Sequence, residues 1–117
     1  MSDSVFSRMP VPLASQLLGW ALVSEDPQSG CIEVAFNPDH RMLNPHGTVQ
    51  GGFVAAMLDD TMGPALFSMT GGKVIASSID LNVSFIRPVK PGRRHSGRRV
   101  RLMRVTTGSK ARFASRG

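Results

Sequence analysis

The sequence predicts a single α+β domain, in which one long helix accompanies extended strands. Apolar residues recur at spacings of three and four between positions 53 and 69, which is typical of a helix. A segment at 31–36 alternates apolar with other residues, and a β-rich stretch runs from 74 to 86. Both patterns indicate strands. The 117 residues suffice for one such domain, since two would each be too small to bury a core.

The first elements are a short helix and a β-hairpin. The stretch PLASQLLGWALVSED at 12–26 opens with Pro and a helical pattern, then becomes extended from Gly19 onward. Turn-forming residues fill 26–30, and the strand CIEVAF at 31–36 follows. The side of that strand expected to be buried consists of Ile32, Val34 and Phe36. The order strand, turn, strand predicts an antiparallel hairpin.

A long loop and the long helix come next. Residues 37–52 contain two Asn-Pro pairs and three glycines, so regular structure is not expected there. The helix is predicted over 53–69, and the TGG at 70–72 ends it in the manner of a C-cap. Pro64 lies inside the helix and cannot donate the N–H that would bond the carbonyl of Asp60, so we expect a kink there.

One long strand is predicted at about 74–86, and the chain then becomes strongly basic. Nine of the 14 Lys and Arg residues follow Gly92 with no acidic residue among them, whereas residues 1–92 carry five basic and eight acidic side chains. We therefore divide the chain into a core at 1–92 and a basic tail at 93–117, partly exposed and with at best short edge strands. Nucleic-acid binding is not expected from the tail, because its charges lack interleaved Tyr or Trp and match no known signature.

The composition favours a cytoplasmic protein without metal or cofactor. Cys31 is the only cysteine, which excludes an internal disulfide and a thiolate metal cluster. The N-terminal MSDSVFSRMPVP lacks the basic and apolar regions of a signal peptide. The most apolar window, 53–69, contains two aspartates and is too short for a membrane span, so no membrane partner is expected.

The start of the long helix is marked by a glycine pair, Gly51 and Gly52. The first turn of a helix leaves backbone N–H groups unpaired at a positively polarised end, so glycines there let a carbonyl or phosphate oxygen approach closely. Such a site polarises a carbonyl in the manner of an oxyanion hole. The alternative is that the two glycines only make a tight turn into the helix.

Two adjacent carboxylates, Asp59 and Asp60, lie farther along the same helix. Asp59 follows Gly51 by eight residues, about 12 Å of helix, so the two cannot act on one bond within a chain. A second copy packed on this helix could bring them together, because Asp59 shares its face with small residues. That face consists of Ala55, Ala56, Met62 and Gly63. A carboxylate enclosed there would have a raised pKa and would suit a base or nucleophile. Asp60 is either a solvated residue or part of the same site.

Residues from about 19 to 92 resemble the hotdog-fold acyl-CoA thioesterases of the PaaI-like (phenylacetate-degradation) group, in the 4-hydroxybenzoyl-CoA thioesterase superfamily. The motif of that group is an Asn, then a Gly, then His-Gly-Gly, with an Asp or Glu nine residues after the His. Its positions are matched here by Asn44, Gly47, Gln50, Gly51, Gly52 and Asp59. The resemblance implies an antiparallel sheet wrapped around one long central helix, with an abbreviated or atypical C-terminal end in this chain. It also implies a homodimer or dimer of dimers with active sites at the interface.

The resemblance further implies roles for these residues. The Gly51 N–H would polarise the thioester carbonyl, Asp59 of the partner subunit would activate water or attack directly, and Asn44 would orient water or the carboxylate. Gln50 replaces the usual His; it can hydrogen-bond but cannot titrate. His46 is expected to be a surface residue. Further substrate contacts are expected from Gly47, Gly52, Asp60 and Ser78, with Ser77 almost as good a match as Ser78.

The function expected from these residues is hydrolysis of an aryl- or fatty-acyl-CoA. No G-x-S-x-G sequence is present, so serine-hydrolase chemistry is not supported. The alternative is a hotdog domain that binds acyl-CoA without turnover. Substitution of Asp59 distinguishes the two, because only an enzyme would lose hydrolysis while it keeps its affinity for the ligand.

Overall fold

A computed structural model of the chain describes residues 4–29, 31–73, 88–91 and 95–101. The strand predicted at 74–86 lies outside these residues, and so do Ser77, Ser78 and most of the basic tail. The predictions made for those positions therefore stay predictions.

The described elements follow the order predicted for the first two thirds of the chain. They are a 3-10 turn at Val5–Arg8, helix α1 at Leu13–Leu18, strand β1 at Ala21–Asp26, strand β2 at Cys31–Phe36, a 3-10 turn at His40–Met42, helix α2 at Gly51–Met69 and strand β3 at His95–Arg101. The short helix followed by a β-hairpin is confirmed. The long helix is confirmed as well, but it begins two residues before the predicted position 53.

The strands form an antiparallel sheet in the order β1, β2, β3. β2 pairs with β1 on one side and with β3 on the other, and the Cα of Ile32 faces that of Val100. The alternation predicted for β2 is confirmed, since Ile32, Val34 and Phe36 are at most 1% exposed. Ala35 departs from the alternation, because it is buried too. β3 lies within the residues predicted to form the basic tail, so seven residues of that segment belong to the sheet.

One face of α2 packs against the core. Its buried residues recur at spacings of three and four and form a single stripe along the helix: Val54, Met57, Thr61, Ala65 and Ser68. The two hydroxyl groups in the stripe are bonded, since Thr61 donates to the Met57 carbonyl at 2.7 Å and Ser68 donates to the carboxylate of Glu25 on β1. These bonds explain how polar side chains occupy positions that the apolar pattern alone would not assign to the core.

Both ends of α2 are shaped by glycines. Gln50 is the N-cap, and its carbonyl accepts hydrogen bonds from the N–H groups of Phe53 and Val54 at 2.9 and 3.2 Å. At the other end Gly71 and Gly72 have φ values of 65° and 84°, and the Gly72 N–H donates to the Phe67 carbonyl at 2.8 Å. The helix end predicted at the TGG segment is therefore confirmed.

Among the described residues, no helix is both long and apolar enough to cross a membrane.

Candidate active site

The start of α2 presents two backbone donors. Gly51 and Gly52 are the first two residues of the helix, and within the described ranges no acceptor bonds either N–H. Gln50 gives no side-chain cap, and its side chain is exposed. Gly51 is half-buried and Gly52 is exposed. The helix therefore begins with unpaired N–H groups at its positively polarised end, as the sequence predicts.

The residues just before this point, 44–48, form a closed turn that we call the Asn44 loop. The Asn44 Oδ1 accepts from the backbone N–H groups of His46 and Thr48 at 2.9 and 3.2 Å, and its Nδ2 donates to the Thr48 Oγ1 at 2.8 Å. The Asn44 backbone also exchanges bonds, with its N–H donating to the Thr48 carbonyl at 2.8 Å and its carbonyl accepting from Gly47 at 3.0 Å. Asn44 thus organises the loop while one of its two amide hydrogens has no acceptor among the described residues.

The Asn44 loop is fixed against the start of α2. Leu43 and Val49 on either side of the loop form a β-bridge, and the Gln50 N–H donates to the Met42 carbonyl at 2.7 Å. The chain reverses at Gly47, whose φ of 82° suits glycine. His46 is exposed, in agreement with its predicted surface position. The structure therefore holds Asn44, Gly47 and the helix start together.

Asp59 lies on the side of α2 that faces away from the buried stripe. It is two residues from both Met57 and Thr61, so it lies about 200° around the helix from each. Asp59 is half-buried, and Gly52 and Ala56 on the same side are exposed. Because Gly51 and Asp59 belong to one unbroken helix, eight residues apart, a single chain separates them by about 12 Å.

Asp60 occupies a different environment, on the flank of α2 beside α1. Its Oδ2 is buried and has no hydrogen-bond partner among the described residues. Burial raises the pKa of the Asp60 carboxyl above its ordinary value, and the charge of Asp59 raises it further, while a hydrogen bond from the Ser15 hydroxyl opposes the change. The Asp60 side chain is therefore half-buried, and its part in the site stays a prediction.

Trp20 contacts this same turn, and the sequence alone did not place it in the site. Its indole Nε1 donates to the Asp60 backbone carbonyl at 2.9 Å. This is the carbonyl that Pro64, four residues later, cannot bond. The position of Pro64 indicates that the Asp60 carbonyl needs a donor from elsewhere. No sequence pattern links that carbonyl to the side chain of Trp20, 40 residues away.

The described residues contain no group of three or more His, Cys, Asp or Glu side chains that could hold a metal ion. The candidate site on this chain thus consists of the Asn44 loop, the N–H groups of Gly51 and Gly52, the exposed Gln50 and the pair Asp59 and Asp60. The predicted contact at Ser78 lies outside the described ranges.

Comparisons with known proteins identify the family to which the fold belongs. The sequence profile described as the thioesterase superfamily matches residues 46–97, which span the helix start and α2. The structure is similar to a phenylacetic acid degradation-related protein from Ralstonia eutropha JMP134, a proposed thioesterase, at 33% identity and a TM-score of 0.79, covering 88% of this chain and 76% of that one. No curated protein sequence matches the chain significantly.

Two further solved structures are similar. A conserved protein from Pseudomonas aeruginosa shares 26% identity with a TM-score of 0.70, covering 83% of this chain and 74% of that one. The PaaI protein from the phenylacetic acid degradation operon of E. coli shares 21% identity with a TM-score of 0.69, covering 82% of this chain and 65% of that one, and at this identity it supports the fold alone. The similarity to the Ralstonia protein, together with the profile match, shows that the chain belongs to the thioesterase superfamily, as a hotdog-fold protein of the PaaI-like group.

Proposed function

We propose that this protein hydrolyses the thioester of an aryl- or fatty-acyl-CoA at a site shared by two copies of the chain. The observation that carries the proposal is a pair of N–H groups at the start of α2 from which no described residue accepts a hydrogen bond, combined with a carboxylate on the side of the same helix that faces away from the buried stripe. Thioester hydrolysis needs both features, because it develops negative charge on the carbonyl oxygen and requires an activated nucleophile.

The Gly51 N–H would donate to the thioester carbonyl oxygen. As the nucleophile adds, that oxygen gains negative charge, and a donor already held in position stabilises it more in the transition state than in the ground state. Gly52 and Gly47 carry no side chain, so the substrate can approach the backbone closely at both positions. Within the described structure, a Cβ added at either residue would meet no atom within 4 Å, so both positions border open space.

Asp59 of the partner subunit would supply the nucleophile. In one route its carboxylate takes a proton from water as the water oxygen adds to the carbonyl carbon, and the C–S bond then breaks to release CoA and the free acid. In the other route the carboxylate itself adds and expels the CoA thiolate, and water hydrolyses the resulting anhydride. Both routes balance with water as the only co-substrate.

A second subunit is required by distance. About 12 Å of helix separates Gly51 from Asp59 in one chain, which exceeds the reach of a single thioester group. The open side of α2 offers small residues, Gly52, Ala55, Ala56 and Gly63, onto which the same helix of a partner could pack closely. An antiparallel helix pair would place each Asp59 near the other chain's Gly51, in a homodimer or a dimer of dimers.

Asn44 and Gln50 would orient the reacting groups. The amide hydrogen that Asn44 does not use in its own loop can bond the attacking water or the Asp59 carboxylate. Gln50 has an exposed side chain that makes no cap bond, so it is free to bond the substrate near the thioester. Asp60 and Ser78 stay in the proposal as residues near the acyl-CoA.

The first experiment measures free thiol release from a panel of aryl, short-chain and long-chain acyl-CoA substrates. We expect Asp59→Asn to lower kcat by about a hundredfold or more, the range for loss of a catalytic base, while Asp60→Asn keeps much of the activity. The reverse pattern would move the catalytic role by one residue, and full activity in Asp59→Ala would remove the mechanism. If no substrate is hydrolysed yet acyl-CoA binds, the protein is the binding domain instead.

A subunit-mixing experiment tests the shared site. Gly51→Pro removes the N–H at a position where Pro is tolerated, and Gln50 already has the φ of −56° and ψ of 137° that a residue before Pro adopts. Gly51→Ala keeps the N–H and serves as the control. If Gly51→Pro and Asp59→Asn are each inactive, equal co-expression should restore about a quarter of wild-type activity, since half of the dimers would be mixed and each mixed dimer has one intact site. Mixtures without activity would mean that each site is built from one chain.

A further inference from the structure

We infer that Trp20 is a positioning residue for the Asp59 carboxylate, which it orients by holding the turn of α2 that Pro64 leaves without a helical hydrogen bond. This inference rests on the proposed function, because it assigns Trp20 a part in placing the proposed nucleophile or base.

Pro64 interrupts the hydrogen-bond ladder of α2 at one point. In a regular helix the N–H of residue 64 would donate to the carbonyl of Asp60, but Pro has no N–H and its ring crowds that carbonyl. An unbonded buried carbonyl is costly, so a helix with an internal Pro tends to kink where the bond is missing. The indole N–H of Trp20 supplies the bond instead, at 2.9 Å. A contact from another element thus replaces a bond within the helix.

The Trp20 side chain is itself held in place. The Trp20 backbone N–H donates to the Ser15 carbonyl at 2.9 Å, which fixes Trp20 to the end of α1. Its ring lies 5.4 Å from the ring of Phe6, at an interplanar angle of 55°. Gly19, just before it, adopts a φ of 72° and closes α1. The Trp20 indole is therefore held by contacts with α1 and Phe6 as well as by its bond to α2.

Ser15 contacts the side chain of the same aspartate. Ser15 is 4% exposed, and its hydroxyl lies near enough to the Asp60 carboxyl to oppose the rise in the pKa of that carboxyl. Trp20 bonds the Asp60 backbone, so Ser15 and Trp20 lie against the two polar parts of Asp60. We call this arrangement, formed by Ser15 and Trp20 around Asp60, the Asp60 clasp.

The clasp affects Asp59 because the two aspartates are consecutive. A planar peptide unit joins their Cα atoms, and the carbonyl that Trp20 bonds belongs to the next peptide unit. A rotation or bend of the helix at Asp60 would therefore move the Asp59 carboxylate, which lies on the opposite side of the helix from the core. Small displacements of a catalytic group lower the rate strongly, since the reacting atoms must be aligned.

A double-mutant cycle of Trp20 and Pro64 tests the inference. Trp20→Phe removes the donor and keeps an aromatic ring, and we expect kcat to fall by about tenfold with KM unchanged, the kinetic equivalent of one lost hydrogen bond. Pro64→Ala restores an N–H that can bond the Asp60 carbonyl, so in the Ala background Trp20→Phe should lower kcat much less. The same fall in kcat in both backgrounds, or no fall in either, would overturn the inference.

Phe6→Leu is the matched control for packing. It removes the ring that contacts Trp20 but leaves the indole hydrogen bond intact. We expect a lower melting temperature with kcat retained. A fall in kcat as large as that of Trp20→Phe would assign the effect to packing and overturn the role of the hydrogen bond.

A spectroscopic measurement covers the case in which Trp20→Phe fails to fold. Trp20 is the only tryptophan of the chain, so a single indole N–H signal appears in the proton–nitrogen NMR spectrum. In the wild type this N–H should exchange slowly with solvent. In Pro64→Ala, where a helical N–H competes for the same carbonyl, it should exchange faster. Equal exchange in the two proteins would contradict the inference.

Failure of this inference is distinguishable from failure of the proposed function. If Asp59→Asn is inactive and the Trp20 and Pro64 effects are additive, the proposed chemistry stands and the positioning role of Trp20 falls. If Asp59→Asn is fully active, the proposed chemistry falls whatever the cycle shows.

Discussion

The Asn44 loop and the Asp60 clasp lie before and within the same helix, yet they are stabilised in different ways. In the loop, the hydrogen bonds of the Asn44 side chain join residues two to four positions apart. In the clasp, the bond between Trp20 and Asp60 joins residues 40 positions apart. The loop satisfies its polar groups locally, whereas the clasp satisfies a carbonyl of α2 only when α1 and β1 are packed against it.

This difference shows that two parts of one candidate site can respond differently to mutation. Local bonds persist as long as the loop keeps its turn, because every partner lies in the same short segment. The clasp depends on the docking of separate elements, so changes at the corner between α1 and β1 should reach Asp60. The contrast predicts different results for equivalent substitutions in the two regions.

The largest expected effect comes from alanine at the glycine of each region. Gly19 and Gly47 both have positive φ, of 72° and 82°. A Cβ at Gly19 would lie 2.7 Å from the Asn37 Cβ and 2.8 Å from its backbone nitrogen, whereas a Cβ at Gly47 would meet no atom within 4 Å. We expect Gly19→Ala to lower the free energy of unfolding by about 3 kcal/mol and Gly47→Ala by about 1 kcal/mol. Urea denaturation measures both, and equal losses would remove the contrast.

The second prediction concerns Asn44 itself. Asn44→Ala deletes the acceptor of two backbone N–H groups and the donor to Thr48, and we expect a loss of about 2 kcal/mol in the free energy of unfolding. Asn44→Asp keeps the acceptor oxygens, so it should retain most of the stability. It cannot donate to water or to the Asp59 carboxylate, so it should lower kcat.

Thr48→Val is the control, because it removes only the Oγ1 that accepts from Asn44 and preserves the shape of the side chain. It should cost less stability than Asn44→Ala and should leave the acceptor oxygen of Asn44 in place. If Asn44→Asp keeps both full stability and full kcat, Asn44 acts only in the loop and its catalytic role is excluded.

The smallest expected effect is the pH dependence contributed by Asp60. Burial raises the pKa of its carboxyl above the ordinary value of 3.8, so between 3.8 and the raised value the folded chain holds a proton that the unfolded chain has released. The free energy of unfolding therefore decreases as pH rises through this window. The Asp60→Asn variant has no carboxyl to titrate at this position. Its melting temperature minus that of the wild type should therefore increase as pH rises from about 3.5 to 7.

Asp59→Asn provides the comparison for this measurement. Burial is the main cause of the raised pKa of Asp60, and the charge of Asp59 is a smaller cause. Removing the Asp59 charge should therefore weaken the pH dependence without abolishing it. A difference between wild type and Asp60→Asn that does not change with pH would show that the Asp60 carboxyl is not perturbed in the folded protein.

The sequence allowed much of the fold to be predicted, because its signals were local. The alternation in β2 and the helical spacing of α2 report which side chains are buried, and the glycines after Met69 report the helix end. The sequence predicts the start of α2 two residues late, because glycines have low helical propensity and are typical of a loop. The N–H groups of the first helical residues have no partner within the helix. The low helical propensity of glycine therefore matters little at these positions.

Asn44, Gly51 and Asp59 match positions of the motif of the PaaI-like group, and their catalytic roles stay predictions. The structure joins the Asn44 loop to the start of α2 through the Leu43–Val49 bridge, while eight residues of α2 separate Gly51 from Asp59 by about 12 Å. Thr61 and Ser68 were not expected in the core, because their burial depends on hydrogen-bond partners that an apolar pattern does not reveal.

One property of α2 is evident from the sequence alone: the carbonyl of Asp60 lacks its helical donor, since Pro64 follows four residues later and Pro has no N–H. The tertiary structure shows that the indole of Trp20 supplies the missing donor and that the Oδ2 of Asp60 is buried on the flank of α2 beside α1. The two differ because a missing bond is a property of the local backbone, whereas its replacement depends on which distant donor reaches that carbonyl when the elements pack.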